Sequence, residues 1–266
     1  MSIAGTWINS YGSEMILTHD PSSGWLAGTY QSTTGSSGKY NVLGYALNPP
    51  PTTGLGEAFA ISIFWHSTEG GTGDPSWHWV SGLGGQAVLG PGTSSVTLNL
   101  IHCMVATSNF PGLAAPGSYL DKLVYQSTPI AETKVPSALA RPALRRALAA
   151  VSNPINGSWT CQQDATIVLT VSLTDQQFGM VSGTLSYGGS TYAVNGFTDT
   201  YMDGSTSLQS LAVVARLDAL NMVISLAGSL DNGTGLVTLT KLLNSGTAND
   251  ATYVQTTVDK LIFARK

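Results

Sequence analysis

The same short pattern occurs twice in this chain, once near its beginning and once past its middle. Residues 5–13 read GTWINSYGS, and residues 157–165 read GSWTCQQDA. A second pattern follows each copy, GTYQS at 28–32 and GTLSY at 183–187. Repetition on this scale indicates two copies of one folding unit.

Length and composition then bound the fold. At 266 residues the chain exceeds the usual single domain, and we predict domains at 1–128 and 154–266 joined by a linker at 129–153. Only 10% of the residues are charged, 42% are apolar and 30 are glycines, a composition typical of many short strands joined by tight turns. The predicted fold class is therefore all-β.

Charge and hydropathy narrow the choice of partners. The net charge is −4 and like charges do not cluster, which argues against a nucleic-acid partner. No apolar stretch is long enough to span a bilayer, so we expect no membrane partner. The first residues lack a charged region followed by an apolar one, so we expect a cytoplasmic protein, or a secreted one whose leader was removed.

The chain has two cysteines, Cys103 and Cys161, one in each repeat. Two cysteines make no disulfide framework, and free cysteines are usually buried, so we expect two buried thiols. No spacing typical of metal ligands and no glycine-rich phosphate loop stands out, so we expect neither a metal nor a cofactor.

The first pattern places polar and aromatic side chains on one side of a strand. Because side chains alternate between the two faces, Trp7, Asn9 and Ser13 share a face, and so do Tyr30 and Ser32 on a later strand. Inside a small barrel, Trp7 would close one end. Asn9, Ser13 and Tyr30 would then bring hydrogen-bonding groups to one point, which suits a carbonyl or ureido oxygen.

These motifs resemble those of the avidin and streptavidin family of biotin-binding proteins, whose first strand reads G-T-W-x-N-x-x-G-S and whose third reads G-T-Y-x-S. The resemblance is close over residues 5–66 and loose from there to 128. It implies two tandem eight-stranded antiparallel up-and-down barrels. It also implies that the first barrel binds a small molecule, biotin or a related ligand.

The resemblance also assigns site residues beyond the two motifs. Ser36 lies in a loop that would close over the ligand, and Trp65 would stack on the ligand ring. Met104 takes the place of a ligand-facing tryptophan, and Ser127 that of a carboxylate or amide bonded to a ureido nitrogen. Tyr119 takes the place of a tryptophan that caps a neighbouring barrel. The full predicted ligand set is Asn9, Ser13, Tyr30, Ser32, Ser36, Trp65, Trp79, Met104 and Ser127.

The changes at Met104 and Ser127 predict weaker binding than in true avidins. Loss of a buried aromatic ring or of a charged hydrogen bond each costs about 2–4 kcal/mol. Since about 1.4 kcal/mol corresponds to a factor of ten, affinity would fall by several decades.

The sixth strand, around residues 77–82, can be aligned with the family in two ways. Anchoring on Ser81 and Gly82 points Val80 at the ligand, whereas a slip of one residue points Trp79 inward and turns His78 outward. A slip of one reverses the whole face, so the two alternatives exclude each other. We favour Trp79, because two exposed tryptophans would leave an unexplained apolar patch.

The linker has a different composition from the rest of the chain. Residues 137–150 are rich in helix formers, with Pro142 placed to start a helix and Pro154 placed after its end. We predict a short spacer helix there.

The second repeat keeps Trp159 but loses the ligand set. Cys161 stands in place of the asparagine and Leu185 in place of the tyrosine. Two uses remain open for it, a structural partner for the first barrel or a cavity for an anion bound by Arg216 and Lys241.

The resemblance implies self-association through barrel faces within the chain, with a homodimer as a further option. Tyr253 occupies the place in the second repeat that Tyr119 has in the first. In that arrangement, Tyr253 would cap the mouth of the first barrel.

Catalysis is the alternative to binding. His66 and His78 flank the loop at 70–75, so one of them could face a cavity near Trp65 and act as a general acid or base. Glu57 and Asp121 are the nearest carboxylates. Three functions thus fit the sequence: a ligand-binding protein, which we favour; a cyclase or isomerase in a repurposed barrel; and an inert scaffold or lectin-like binder.

Overall fold

The computed structural model describes residues 3–33, 38–47, 50–90, 95–128, 152–201, 207–248, 250–251 and 256–266. In this part of the chain every long element is a strand, and the strands form two closed eight-stranded antiparallel barrels. Each strand pairs with the next, and the last pairs with the first. The predicted all-β class and the two tandem barrels are confirmed.

The strands follow one another up and down in both barrels. The first barrel contains β1 Gly5–Asn9, β2 Glu14–Asp20, β3 Trp25–Ser32, β4 Gly38–Ala46, β5 Glu57–Phe64, β6 Val80–Leu89, β7 Val96–Ala106 and β8 Gly117–Thr128. The second contains β9 Gly157–Cys161, β10 Val168–Asp175, β11 Met180–Tyr187, β12 Ser190–Thr198, β13 Leu208–Leu217, β14 Met222–Asp231, β15 Leu236–Asn244 and β16 Thr256–Arg265.

Helix is limited to short turns among the described residues. Two 3-10 turns are present, at Pro75–His78 and at Asp218–Leu220. The predicted spacer helix falls on residues outside the described part of the chain. None of the helical segments described has the length and apolar character needed to cross a membrane. Both cysteines are buried free thiols, as expected.

Trp7 and Trp159 have the same structural role in their respective barrels. The Trp7 indole Nε1 donates to the Ile3 carbonyl oxygen at 3.0 Å, and the Trp159 Nε1 donates to the Ile155 carbonyl oxygen at 2.9 Å. Both rings are at most 2% exposed, so each fills one end of its barrel. A buried indole that keeps its hydrogen bond combines a large apolar contact with a satisfied donor.

The interior of the second barrel is filled by apolar side chains, among them Leu185 where the first barrel has a tyrosine. The two basic residues that could bind an anion already have carboxylate partners. Lys241 Nζ lies 2.6 Å from Asp259 Oδ2, and Arg216 Nε lies 2.6 Å from Asp218 Oδ1. These ion pairs leave little positive charge for a ligand in this barrel.

The barrels pack face to face along a surface that we call the seam. It is an apolar cluster shared by both barrels: Trp25, Ala27, Leu43, Tyr45, Leu47, Ala58, Ala60, Phe64, Val80, Cys103 and Val105 from the first, and Met180, Phe197, Ala212, Val214, Val223, Ala227 and Leu242 from the second. Glycines let the backbones approach closely. A Cβ added at Gly82 would lie 2.7 Å from the Ala227 Cβ, and one at Gly84 would overlap the Asn244 side chain.

The two barrels run in opposite directions across the seam. At one end, the Ser210 hydroxyl donates to the His78 carbonyl oxygen at 2.7 Å. At the other end, the Thr247 backbone N–H donates to Gln86 Oε1 at 2.9 Å. Ser210 adjoins Gln209, which bonds to Asn153 at 2.9 Å near the tryptophan-filled end of the second barrel. The open end of the first barrel therefore lies beside the closed end of the second.

Candidate functional site

A cavity of about 450 Å³ opens at the end of the first barrel opposite its closed end. It lies within the range of roughly 300–1,000 Å³ that small-molecule sites occupy. Most of the residues that the sequence assigned to a ligand line it: Asn9, Ser13, Tyr30, Trp65, Trp79 and Met104, together with Tyr119. The barrel thus brings side chains from four strands and from the segments between strands to one place.

The first polar groups of the cavity come from the turn between β1 and β2. The Asn9 side-chain oxygen accepts hydrogen bonds from the backbone N–H groups of Tyr11 and Ser13, both at 3.0 Å. These bonds fix the turn and orient the amide, so its nitrogen carries the donors available to a ligand. The Ser13 hydroxyl lies 3.3 Å from the Thr33 hydroxyl.

Trp65 forms one aromatic wall of the cavity. Its indole Nε1 donates to Ser81 Oγ at 2.8 Å. Its ring packs edge-on against Tyr30, with centroids 5.6 Å apart, and in a tilted arrangement against Tyr40, with centroids 5.1 Å apart. Because the donor is satisfied and the ring is held by its neighbours, this wall is rigid before any ligand arrives.

Trp79 forms a second wall of the cavity. Its position shows which of Trp79 and Val80 faces the interior of the barrel. Its ring is 4% exposed and belongs to the interior of the first barrel, whereas Val80 lies in the seam. The indole Nε1 donates to Ser108 Oγ at 3.0 Å, and the ring meets Phe110 edge-on at 5.0 Å. The strand begins only after the 3-10 turn at Pro75–His78 and runs to Leu89.

His102 lines the cavity and was missed at the sequence level. Its Nε2 lies 2.7 Å from Ser81 Oγ, and burial lowers its pKa to about 4 although the opposite Asp121 raises it in part. The ring is therefore neutral at pH 7. The period of two along β7 would have found it, since His102 and Met104 must share a face.

Ser81, His102 and Asp121 lie close together but do not make a nucleophilic triad. The Ser81 side chain is fully buried and accepts the Trp65 N–H, so it stands behind the cavity wall. A nucleophile must be reachable by its substrate. Ser81 and His102 instead orient Trp65.

His66 and His78 do not line this cavity, but together with Tyr201 they line a second one of about 360 Å³. Both side chains contact residues of the second barrel. His78 Nδ1 lies 2.9 Å from Asp199 Oδ2, and the His66 ring stacks on Tyr201 at 4.2 Å. They belong to the contact between the barrels.

Residues 1–86 match the model of the Avidin family, a stretch that covers β1 to β5 and most of β6. It contains the tryptophan-closed end, the polar turn and both tryptophan walls. Over these residues the first barrel is similar to the Avidin family. Comparison with the curated proteins gave no match.

Two serines of the predicted set are placed away from the avidin-like cavity. Ser32 is buried but is not among the lining residues, and it pairs with Gly38. Ser127 pairs with Trp7, towards the closed end. The two remaining residues, Ser36 and Tyr253, lie outside the described part of the chain.

Tyr125 is the residue of β8 that lies beside Asn9. It is directly opposite Asn9 in the β1–β8 pairing and is fully buried. Burial raises the pKa of its hydroxyl, and the adjoining Tyr30 raises it further. A neutral, buried phenol therefore lies beside Asn9, outside the set of residues that line the cavity.

No metal centre is formed by the residues that the structure describes. Among them, no group of three or more His, Cys, Asp or Glu side chains lies close enough to hold a metal ion.

Proposed function

We propose that the first barrel binds a small molecule with a compact polar ring and an apolar body, namely biotin or a related ureido or cyclic amide compound. One observation carries the proposal. The hydrogen-bonding groups of Asn9, Ser13 and Tyr30 reach the same cavity as the rings of Trp65 and Trp79. Donors at the inner end and aromatic walls above them suit a ligand that enters with its polar ring first.

The affinity expected for biotin is below that of true avidins. Met104 offers a flexible thioether where the family has an aromatic wall. Ser127, which the resemblance aligns with the family's carboxylate or amide, pairs with Trp7 towards the closed end. The two differences together would cost several kcal/mol, or several decades in Kd.

Catalysis and an inert scaffold gain no comparable support. The candidate bases for an enzyme, His66 and His78, contact the second barrel rather than the cavity. An inert barrel, in turn, gives no reason for polar groups to converge on an open cavity, because buried apolar packing would be more stable.

The test is calorimetric titration of the full chain with biotin, comparing the wild type with Tyr30→Phe. This variant keeps the ring and removes one donor to the ligand. We expect saturable one-to-one binding by the wild type and about a tenfold or greater loss of affinity in the variant.

Tyr192→Phe is the matched control, since Tyr192 is a buried tyrosine in the interior of the second barrel. It should bind biotin like the wild type. A wild-type chain that shows no heat of binding at millimolar biotin, or a Tyr30→Phe variant with unchanged affinity, contradicts the proposal.

A further inference from the structure

The rim of the cavity in the first barrel carries one charge among the described residues that line it, that of Asp121. The other rim residues are uncharged, and several are apolar and exposed. Tyr11 is 57% exposed and Leu120 is 54% exposed. A ligand tail that leaves the cavity therefore passes an apolar ring of side chains and a carboxylate.

No cation in the described lining offsets that carboxylate. His102 lies opposite Asp121 across the β7–β8 pair, and it is neutral at pH 7 because burial lowers its pKa. Lys122 follows Asp121 in the chain, and its backbone N–H donates to Asp121 Oδ1 at 2.8 Å. The Lys122 side chain leaves from the outer face, where the strand pairs it with Ile101.

The direction of a bound ligand follows from where the donors lie. Asn9, Ser13 and Tyr30 stand at the inner end, so a polar ring held by them sends its tail towards Asp121. A carboxylate at the end of that tail would come close to a second carboxylate at the rim. Like charges within a few ångströms repel, and the repulsion is weakened but not removed by water.

We propose, on the basis of the function proposed above, that the first barrel selects ligands whose outer end is uncharged or cationic over those that end in a carboxylate. The ligand class is thus an amide or an amine derivative of the ring compound rather than the free acid. Asp121 is the specificity-determining residue.

The experiment measures the affinities of three probes for the full chain by calorimetry: biotin, biotin amide and the aminoethyl amide of biotin. They share the ring and the alkyl chain and differ in the charge at the far end. We expect the amide to bind about tenfold more tightly than the acid, and the amine more tightly still at low salt. Raising the salt concentration should narrow these differences.

Asp121→Asn should bring the three affinities together. Asp250→Asn, which removes an exposed carboxylate from the second barrel, should leave the order of the probes unchanged. Binding of all three probes with equal affinity, or a preference that survives in Asp121→Asn, overturns the selectivity. Absence of binding by all three overturns the proposed function itself, so the two failures are distinct.

Discussion

Glu57 is an acidic side chain in the interior of the first barrel. It is 2% exposed, and neither carboxylate oxygen makes a hydrogen bond within the described part of the chain. Burial raises its pKa to about 8, because the charged form would lose its hydration without gaining a partner. Glu57 is therefore protonated at neutral pH in the folded chain.

The raised pKa predicts a loss of stability as the pH rises. In the unfolded chain Glu57 releases its proton near its ordinary pKa of 4.5, whereas in the folded chain it does so near 8. Between these values rising pH favours the unfolded chain, by about 1.4 kcal/mol per unit of pH. We expect Glu57→Gln to remove this component, so that denaturant unfolding at several pH values gives a flatter profile.

The difference in stability between Glu57→Gln and the wild type should depend on pH in a defined way. The stability advantage of Glu57→Gln should grow from pH 5 to pH 8 and then stop growing. Glu69→Gln, which changes a glutamate whose side chain is 68% exposed, should follow the wild-type profile. Parallel profiles for the wild type and Glu57→Gln would show that Glu57 ionises normally.

Single residues of the cavity were predictable where one strand decides their direction. The period of two along β1 and β3 is enough to point Asn9 and Tyr30 into the barrel, and the turn after β1 adds Ser13. Tyr125 was not predictable in this way, because its place beside Asn9 depends on the pairing of the first strand with the last. That register is set by the closure of the whole barrel, which no local pattern records.

The glycine content of β6 explains why the sequence analysis placed this strand incompletely. Residues 82–85 include three glycines, which are depleted in strands, so the sequence placed the strand only around 77–82. The structure begins it at Val80 and continues it to Leu89. The glycines serve a contact that the sequence does not display, since the seam requires short side chains where β14 and β15 cross β6.

Gly82→Val tests this role of β6. The Cβ would lie 2.7 Å from the Ala227 Cβ, which cannot move aside. We expect about 1–3 kcal/mol of destabilisation, the usual cost of overpacking, measured by thermal unfolding. Gly54→Ala is the control, since a Cβ there meets nothing within 4 Å. Equal midpoints for both variants would show that the seam tolerates bulk at this position.

At the scale of the whole molecule, the seam makes the two barrels interdependent. Phe197 of the second barrel is fully buried there and stacks with Phe64 of the first, with ring centroids 6.1 Å apart. Two barrels that share a core should unfold as one unit. The tandem arrangement was predictable from the repeat, whereas the facing surfaces were not, because their side chains look like ordinary strand residues.

Phe197→Ala should uncouple the barrels. Truncation of a buried phenylalanine costs about 3–5 kcal/mol, and in Phe197→Ala this stability is lost from the seam between the two barrels. We expect one calorimetric unfolding transition in the wild type and two in this variant. Phe263→Ala, inside the second barrel, should lower the single midpoint without dividing it. Two transitions already present in the wild type would contradict a shared core.

The opposite directions of the barrels have a practical consequence. A dye, a solid support or a fused protein attached at the far rim of the second barrel would stand at the other pole of the molecule from the entrance of the first. Diffusion of a guest into that entrance would then be unobstructed. The second barrel, whose interior is filled, thus offers an attachment site for immobilising the chain in a single orientation.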